Sequence, residues 1–204
     1  MKDYADAMAK YCCTSIDTYL GSGDFGEAYL TKSNTVVKIT NDPSEVLTAL
    51  RLKGSQHTFV ANVFDCKSMG RGVFAIHLEY LEEHHDAENA WYGLMDIAVN
   101  EGVGIEESLQ YLDFEDFTEN SDIIAMANNL YGAMCEIRNT GSLPMDIRSE
   151  NMGYKNGHFA VFDSKDKTMS DEYALEVIKS EYPDVFGKKD ILVKESSPLM
   201  DYCD

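Results

Sequence analysis

Two aspartates and an asparagine in the last third of the chain have residue types and a spacing that suit phosphoryl transfer. Asp146 is followed five residues later by Asn151, and Asp163 comes directly after the apolar run at residues 159–162. A carboxylate can orient an attacking hydroxyl, while an asparagine and a second carboxylate can hold Mg²⁺ on the phosphates of a nucleotide. The same residue types are common in turns, so the trio alone leaves a purely structural interpretation open.

A glycine cluster lies between two segments with strand-like sequences. Gly21, Gly23 and Gly26 form a GxGxxG pattern, and a second strand and a turn at residues 32–34 follow. The dinucleotide-binding version of this pattern opens a helix, whereas glycines between two strands are typical of a kinase-type phosphate-binding loop. A flexible hairpin loop without a ligand is the simpler alternative.

Lys38 lies in the next predicted strand, among the apolar β-branched residues Val36, Val37 and Ile39. An inward-facing lysine needs a chemical reason, which contact with the α- and β-phosphates of a nucleotide would supply. The alternation of side chains along a strand also allows Lys38 to face solvent. The glycine cluster that ends twelve residues earlier favours the phosphate-binding interpretation.

The helix predicted at residues 43–53 carries a single acidic residue, Glu45. Asp42 is a good N-cap and Pro43 suits the first helical position, which puts Glu45 at the third. A glutamate there can complete a capping box. It can also hold Lys38, and the sequence leaves both interpretations open.

A polar segment at residues 82–88 separates two groups of predicted elements. Before it, a helix at residues 2–13 and strands at 59–64 and 73–81 join the glycine hairpin and complete a small antiparallel sheet. We therefore expect an N-terminal lobe over residues 1–81.

After the polar segment the predicted elements are mostly helices. The clearest helix is capped by Ser121, is closed by Gly141 and leads the chain to Asp146. A short hairpin and one further helix at about residues 171–181 follow. We expect these elements to form a helical lobe over residues 82–204.

Two adjacent histidines, His84 and His85, stand among acidic residues in the polar segment. Neighbouring residues on a helix point in different directions. We therefore interpret this stretch as a solvated linker and not as a metal site.

The charge of the chain restricts its partners. It has 36 acidic and 17 basic residues and a formal net charge of −19, which disfavours nucleic acid backbones and anionic membranes and favours a protein with a basic surface. The five cysteines are odd in number and lack CxxC spacing, and no apolar run approaches the ~20 residues that span a bilayer. We expect a cytoplasmic protein, and the sequence leaves its oligomeric state open.

In this order, the glycine loop, strand lysine, helix glutamate, DxxxxN loop and final aspartate resemble the protein kinase fold over about residues 15–165. The resemblance implies an α+β, reduced kinase-like two-lobe fold, with a small antiparallel sheet lobe and a mostly helical lobe. Pro144 and Met145 replace the usual His-Arg, and Ser164 and Lys165 replace the usual Phe-Gly. Such a chain is similar to the compact serine/threonine kinases that T7-like podophages make early in infection.

The resemblance also implies ATP and Mg²⁺ as ligands and gives each matched residue a role. The glycine loop would cover the phosphates, Lys38 would pair with them, and Glu45 would hold Lys38. A hinge at residues 79–81 would touch adenine, and Asp146 would accept the proton of the substrate hydroxyl. The implied residues are Gly21, Gly23, Phe25, Gly26, Lys38, Glu45, Glu79 and Leu81 for the nucleotide, Asn151 and Asp163 for Mg²⁺, and Asp146, Lys38 and Arg148 for catalysis.

Arg148 bears on the class of substrate. It lies two residues after Asp146, where serine/threonine kinases usually have lysine and aminoglycoside-type phosphotransferases tend to have histidine, so it favours protein substrates. The first hypothesis is thus a kinase acting on host proteins, in the host cytoplasm if the chain is viral. The alternatives are a catalytically weak kinase-fold protein that binds or inhibits a host protein through its acidic, DNA-like charge, and a small-molecule phosphotransferase.

Overall fold

The structure, a computed structural model, describes residues 1–23, 26–142, 148–162 and 168–187. Phe25, Asp146 and Asp163 lie outside these ranges. Within them the chain is α+β, with a small antiparallel sheet and a helical part, as predicted.

The elements are numbered in chain order. The α-helices are α1 (Lys2–Tyr11), α2 (Pro43–Leu52), α3 (Ala87–Asn100), α4 (Ile105–Tyr111), α5 (Ser121–Asn139) and α6 (Asp171–Glu181). The strands are β1 (Ile16–Ser22), β2 (Gly26–Thr31), β3 (Thr35–Thr40), β4 (Val63–Gly70), β5 (Val73–Glu79), β6 (Met152–Lys155) and β7 (His158–Val161). No helix in the described ranges is both long enough and apolar enough to cross a membrane.

The chain divides into two compact units. The first consists of Met1–Ser55, Asn62–Tyr80 and Thr168–Asp204, and the second of Gln56–Ala61 and Leu81–Lys167. The change at Tyr80 is next to the boundary expected from the polar segment. The units are nevertheless not two consecutive blocks of sequence, because α6 packs against α2 and so belongs to the first unit.

The first unit is built on a five-stranded antiparallel sheet with the order β1-β2-β3-β5-β4. Strand β3 is central, and its Lys38 stands opposite Ala28 of β2 and Ile76 of β5. Helix α1 packs against β3 and β5, where fully buried Met8, Val37 and Ile39 join one apolar cluster. The apolar run that contains Lys38 is therefore covered on this side by α1.

The strand predicted at residues 59–64 begins only at Val63. Residues 59–61 belong to the second unit, where Val60 forms a parallel bridge with Val161 and the Ala61 amide donates to the Val161 carbonyl at 2.8 Å. The local sequence indicated extended structure correctly. Residues 59–61 nevertheless pair with β7 and not with the five-stranded sheet. This pairing depends on contacts between segments far apart in sequence.

The second unit is organised around α5, which packs against α3, α4 and β7. Its N-cap is Asn120, one residue earlier than predicted, because the Asn120 side chain accepts hydrogen bonds from the amides of Asp122 and Ile123. Strands β6 and β7 form a hairpin through Asn156 and Gly157, whose φ values of 51° and 86° fit a tight primed turn. Asn151 immediately precedes this hairpin.

Gly26 allows β2 to approach the end of β3 closely. A Cβ at this position would lie 2.1 Å from the Ile39 carbonyl oxygen and 3.2 Å from the Thr40 Cα. A Cβ at Gly21 or Gly23 would meet nothing within 4 Å. Of these three glycines of the cluster, Gly26 is the one that the packing itself requires.

Gly26→Ala and Gly23→Ala should therefore differ in stability. We expect Gly26→Ala to lower the free energy of unfolding by about 1–3 kcal/mol, because backbone must shift to admit the methyl group. Gly23→Ala should change it by less than about 0.5 kcal/mol, as an open surface position does. Urea denaturation of both variants measures the difference, and equal losses would contradict the packing argument.

Candidate functional site

The Lys38 side chain is turned inward from the centre of the sheet. Its Nζ lies 2.7 Å from Oε1 of Glu45, and the two side chains are only 15% and 9% exposed. Neighbouring Val37 and Ile39 pack on the α1 side of the sheet. Of the two interpretations of Lys38, the structure thus shows the inward one, with the ammonium held by the helix glutamate.

The second carboxylate oxygen of Glu45 is held by Thr40. The Thr40 hydroxyl donates to Glu45 Oε2 at 2.8 Å and accepts from the Asp42 amide at 3.1 Å. The Asp42 carboxylate in turn caps α2 by accepting from the amides of Ser44 and Glu45. In a capping box the third-position glutamate takes the N-cap amide directly, whereas here a threonine hydroxyl stands between them. Glu45 therefore serves both the helix cap and Lys38.

Thr40 is the residue of this site that the sequence analysis missed. It ends β3 two residues before the N-cap, and it is fully buried. A hydroxyl at that distance from a capping aspartate and a third-position glutamate is the signal that would have indicated it. Its two hydrogen bonds fix the glutamate carboxylate in a place where a buried charge needs every partner.

The glycine loop is closed by one hydrogen bond in the described part of the chain, from the Gly23 amide to the Gly26 carbonyl at 3.0 Å. In the adjoining strands the Tyr29 hydroxyl donates to the Glu27 carboxylate and its ring meets the Tyr19 ring edge-on at 5.4 Å. Burial, with the Glu27 hydrogen bond adding to it, raises the pKa of Tyr29 to about 12. The hairpin around the loop is thus firmly held, and the phosphate-covering role of the glycines and of Phe25 stays a prediction.

The segment expected to touch adenine begins with a structural glutamate. Glu79 Oε2 accepts from the Asn62 amide at 3.0 Å, and the Glu79 amide donates to the Asn62 carbonyl at 2.9 Å. Leu81 is buried in the second unit. A Cβ added at Gly153 would lie 2.4 Å from the Cβ of Leu81. Adenine contact by residues 79–81 remains a prediction.

Asn151 ends a short 3₁₀ helix, Ser149–Asn151, in the second unit. Its amide donates to the Arg148 carbonyl at 3.0 Å, and its carbonyl accepts from the Phe162 amide, also at 3.0 Å. The hairpin thus brings Asn151 beside Phe162. Arg148 is exposed. The roles of Arg148, Asn151, Asp146 and Asp163 stay predictions, and the two aspartates lie outside the described residues.

The hairpin that carries Asn151 is fastened to the rest of its unit. The backbones of Glu82 and Tyr154 exchange two hydrogen bonds, of 3.0 and 2.7 Å. The Glu136 carboxylate on α5 accepts the amides of Thr58 and Phe59 at 2.9 and 3.1 Å. The Glu136 bonds anchor the segment that pairs with β7, and the Glu82 bonds hold β6. Together they support the hairpin that follows Asn151.

The two adjacent histidines lie in the turn before α3 and not on a helix. The ligand atoms of His84, His85 and Asp86 lie within 4.8 Å of one another. They bond to each other, since His85 Nε2 is 2.6 Å from the Asp86 carboxylate and the Asp86 amide donates to His84 Nδ1. The His84 ring also contacts the Tyr154 ring, with a centroid distance of 4.5 Å and a tilt of 38°. The argument that neighbouring side chains on a helix point in different directions therefore does not apply to these histidines.

The comparisons with known proteins add little to this geometry. No family model matches the chain, and no curated protein matches it. Among solved structures, the PknI kinase domain of M. tuberculosis is similar at 15% identity with a TM-score of 0.44. The match covers 74% of this chain and 57% of that domain, so the chain spans less than two thirds of its length. A likeness of this size does not establish a shared fold.

Thr40→Val tests the hydrogen bonds around Glu45. The substitution keeps the shape of the side chain but leaves the Asp42 amide and one Glu45 oxygen without the hydroxyl. We expect the free energy of unfolding to fall by about 1–3 kcal/mol, the cost of leaving buried polar groups unsatisfied.

Thr48→Val is the matched control. Thr48 is also buried and lies in α2, about one turn after Glu45. Its hydroxyl donates to the Ser44 carbonyl, which also accepts a hydrogen bond from a helix amide. Urea denaturation should show a clearly smaller loss for this variant. A loss at Thr48 as large as that at Thr40 would contradict the assigned role of Thr40.

Proposed function

We propose that this chain is an ATP-dependent phosphotransferase of the protein kinase type that modifies serine or threonine residues of a protein. The observation that carries the proposal is the Lys38–Glu45 ion pair, with Nζ and Oε1 2.7 Å apart. A lysine on the third strand, after a glycine hairpin, and a glutamate on the next helix are the parts with which kinases position the phosphates of ATP. The Lys38–Glu45 pair joins a strand lysine to a helix glutamate in the same way, and this supports the proposal.

The buried pair suits a phosphate-binding task better than a stabilising one. Taking two charges out of water costs free energy that their mutual attraction often only balances. A pair retained in a central strand is therefore better explained by a ligand whose own charge it meets. In the proposal Glu45 orients the ammonium, and the α- and β-phosphates of ATP bind to it.

The remaining groups are proposed for the chemistry. Asn151 and Asp163 supply amide and carboxylate oxygens, the ligand types that Mg²⁺ prefers, and the metal would neutralise charge on the phosphates. Asp146 accepts the proton of the substrate hydroxyl while the hydroxyl oxygen attacks the γ-phosphorus. The bond from that phosphorus to the bridging oxygen breaks, and ADP leaves. Arg148 is proposed to contact the transferred group.

The distribution of charge supports a basic protein as substrate. From residue 72 to residue 137 the sequence contains fifteen aspartates and glutamates and no lysine or arginine. Exposed Tyr92 and Val99 lie on α3 among exposed acidic residues such as Glu88 and Asp96. Such a surface attracts a positively charged protein and speeds the encounter with it. If the chain is viral, the proposed substrate is a host protein.

The same acidic stretch favours a second candidate function. A kinase-like protein without catalysis could use this surface to occupy the basic site of a nucleic-acid-binding protein. The two candidates differ in one requirement, because only the phosphotransferase must bind Mg-ATP and transfer phosphate.

Thermal melting and phosphate transfer test the proposed function together. At 100 times its dissociation constant, Mg-ATP should stabilise the protein by about 2.7 kcal/mol. Labelled γ-phosphate should appear on a lysine-rich, serine-containing protein with wild type and should fall by a factor of ~10³ or more with Asp146→Ala or Asp163→Asn. Asp3→Asn, which removes an exposed carboxylate of α1 outside the acidic stretch, is the matched control and should keep its activity.

Three outcomes are informative. Loss of transfer in the two variants but not in the control supports the phosphotransferase. Equal labelling by all four proteins shows that a different protein in the preparation is the kinase. No Mg-ATP shift and no transfer, together with salt-sensitive binding to the lysine-rich protein, favours the acidic binder.

A further inference from the structure

Helix α2, which carries Glu45, is buried on more than one face. Every residue of α2 except Arg51 is buried. A helix that packs on a sheet alone buries one stripe and leaves the other face to solvent. Here β4 and β5 cover one side of α2, and α6 packs against it as well. The second cover therefore comes from a segment more than a hundred residues later in the sequence.

Helix α6 is itself held firmly. Its buried residues Ala174, Val177 and Ile178 have the i, i+3, i+4 spacing of a single face. Ser170 caps it by accepting from the Tyr173 amide at 3.2 Å. After its end, a 3₁₀ helix packs against β4, and the Phe186 ring meets Phe74 at a centroid distance of 6.2 Å.

We propose that α6 is a positioning element that holds α2 in the place where Glu45 pairs with Lys38. The inference rests on the proposed function, because the pair matters to activity only if it binds the phosphates. Ala174, Val177 and Ile178 are its positioning residues, which act through α2 and touch no substrate. In this proposal the packing of α6 on α2 holds the Lys38–Glu45 contact within the folded chain itself, so neither a partner protein nor a modification is required to form the contact.

The physical argument concerns distance. Glu45 lies in the first turn of α2, so its carboxylate moves with the helix axis. A shift of about 1 Å would lengthen the 2.7 Å contact beyond the range of a charge-assisted hydrogen bond. The sheet covers part of α2, and α6 supplies a further packing surface.

The coupling between Lys38 and Glu45 is the direct readout. It is obtained from the unfolding equilibria of Lys38→Met, Glu45→Gln and the double variant, measured in three backgrounds: wild type, Ile178→Ala and Met8→Ala. Met8→Ala is the matched control, because Met8 is a fully buried side chain of similar size in α1 of the same unit. Ile178→Val, with a smaller cavity, replaces Ile178→Ala if that variant does not fold.

We expect the coupling factor to fall several-fold in the Ile178→Ala background and to stay at the wild-type value in the Met8→Ala background. Equal coupling in all three backgrounds would overturn the proposal, as would an equal fall in both cavity variants. The result does not depend on nucleotide, so it stands even if the proposed function fails.

The affinity for ATP adds a functional readout. Ile178→Ala should weaken Mg-ATP binding by about tenfold, a typical coupling between linked sites, while Met8→Ala should not. In a Glu45→Gln background, Ile178→Ala should cause no further loss, because the carboxylate that α6 positions is gone. An equal tenfold loss with and without Glu45 would contradict action through Glu45. If wild type itself does not bind Mg-ATP, the proposed function is wrong and the coupling experiment decides on α6.

Discussion

The contact between the Lys38 ammonium and the Glu45 carboxylate is the constraint around which β3 and α2 of the first unit are arranged. Two such groups are costly to bury unless their geometry is good and their remaining hydrogen-bonding atoms find partners. The 2.7 Å separation meets the first condition, and the Thr40 hydroxyl on the other carboxylate oxygen meets the second. For both to hold, Lys38 must stand on a central strand and Glu45 in the first turn of the next helix, which leaves β3 and α2 little freedom of placement.

The surrounding elements fix that placement from several sides. Gly26 lets β2 lie close to the end of β3, and α6 covers α2. The second unit uses the same approach with different groups, since Glu136 and the backbone of Glu82 fasten the segments beside the hairpin that carries Asn151. In each unit, the residues proposed for function lie on or beside elements that are held in place by packing and hydrogen bonds.

Local features were predictable from the sequence because their causes are local. Asp42 and Pro43 indicate the start of α2, and Asn156 and Gly157 indicate the turn of the hairpin. The helix expected at about residues 171–181 is α6. Contacts between distant segments were not predictable. The pairing of residues 59–61 with β7 and the packing of α6 on α2 depend on tertiary structure, which the periodicity of a single segment does not indicate.

The central claim is that the Lys38–Glu45 pair binds the phosphates of a nucleotide. Calorimetric titration of Lys38→Met, Glu45→Gln and the double variant with Mg-ATP and, separately, with adenosine tests it most directly. The account predicts that each single variant weakens Mg-ATP binding by about tenfold or more, that the double variant loses little beyond that, and that adenosine binds all forms alike. An unchanged affinity of Lys38→Met for Mg-ATP, or an equal loss for ATP and adenosine, would contradict it.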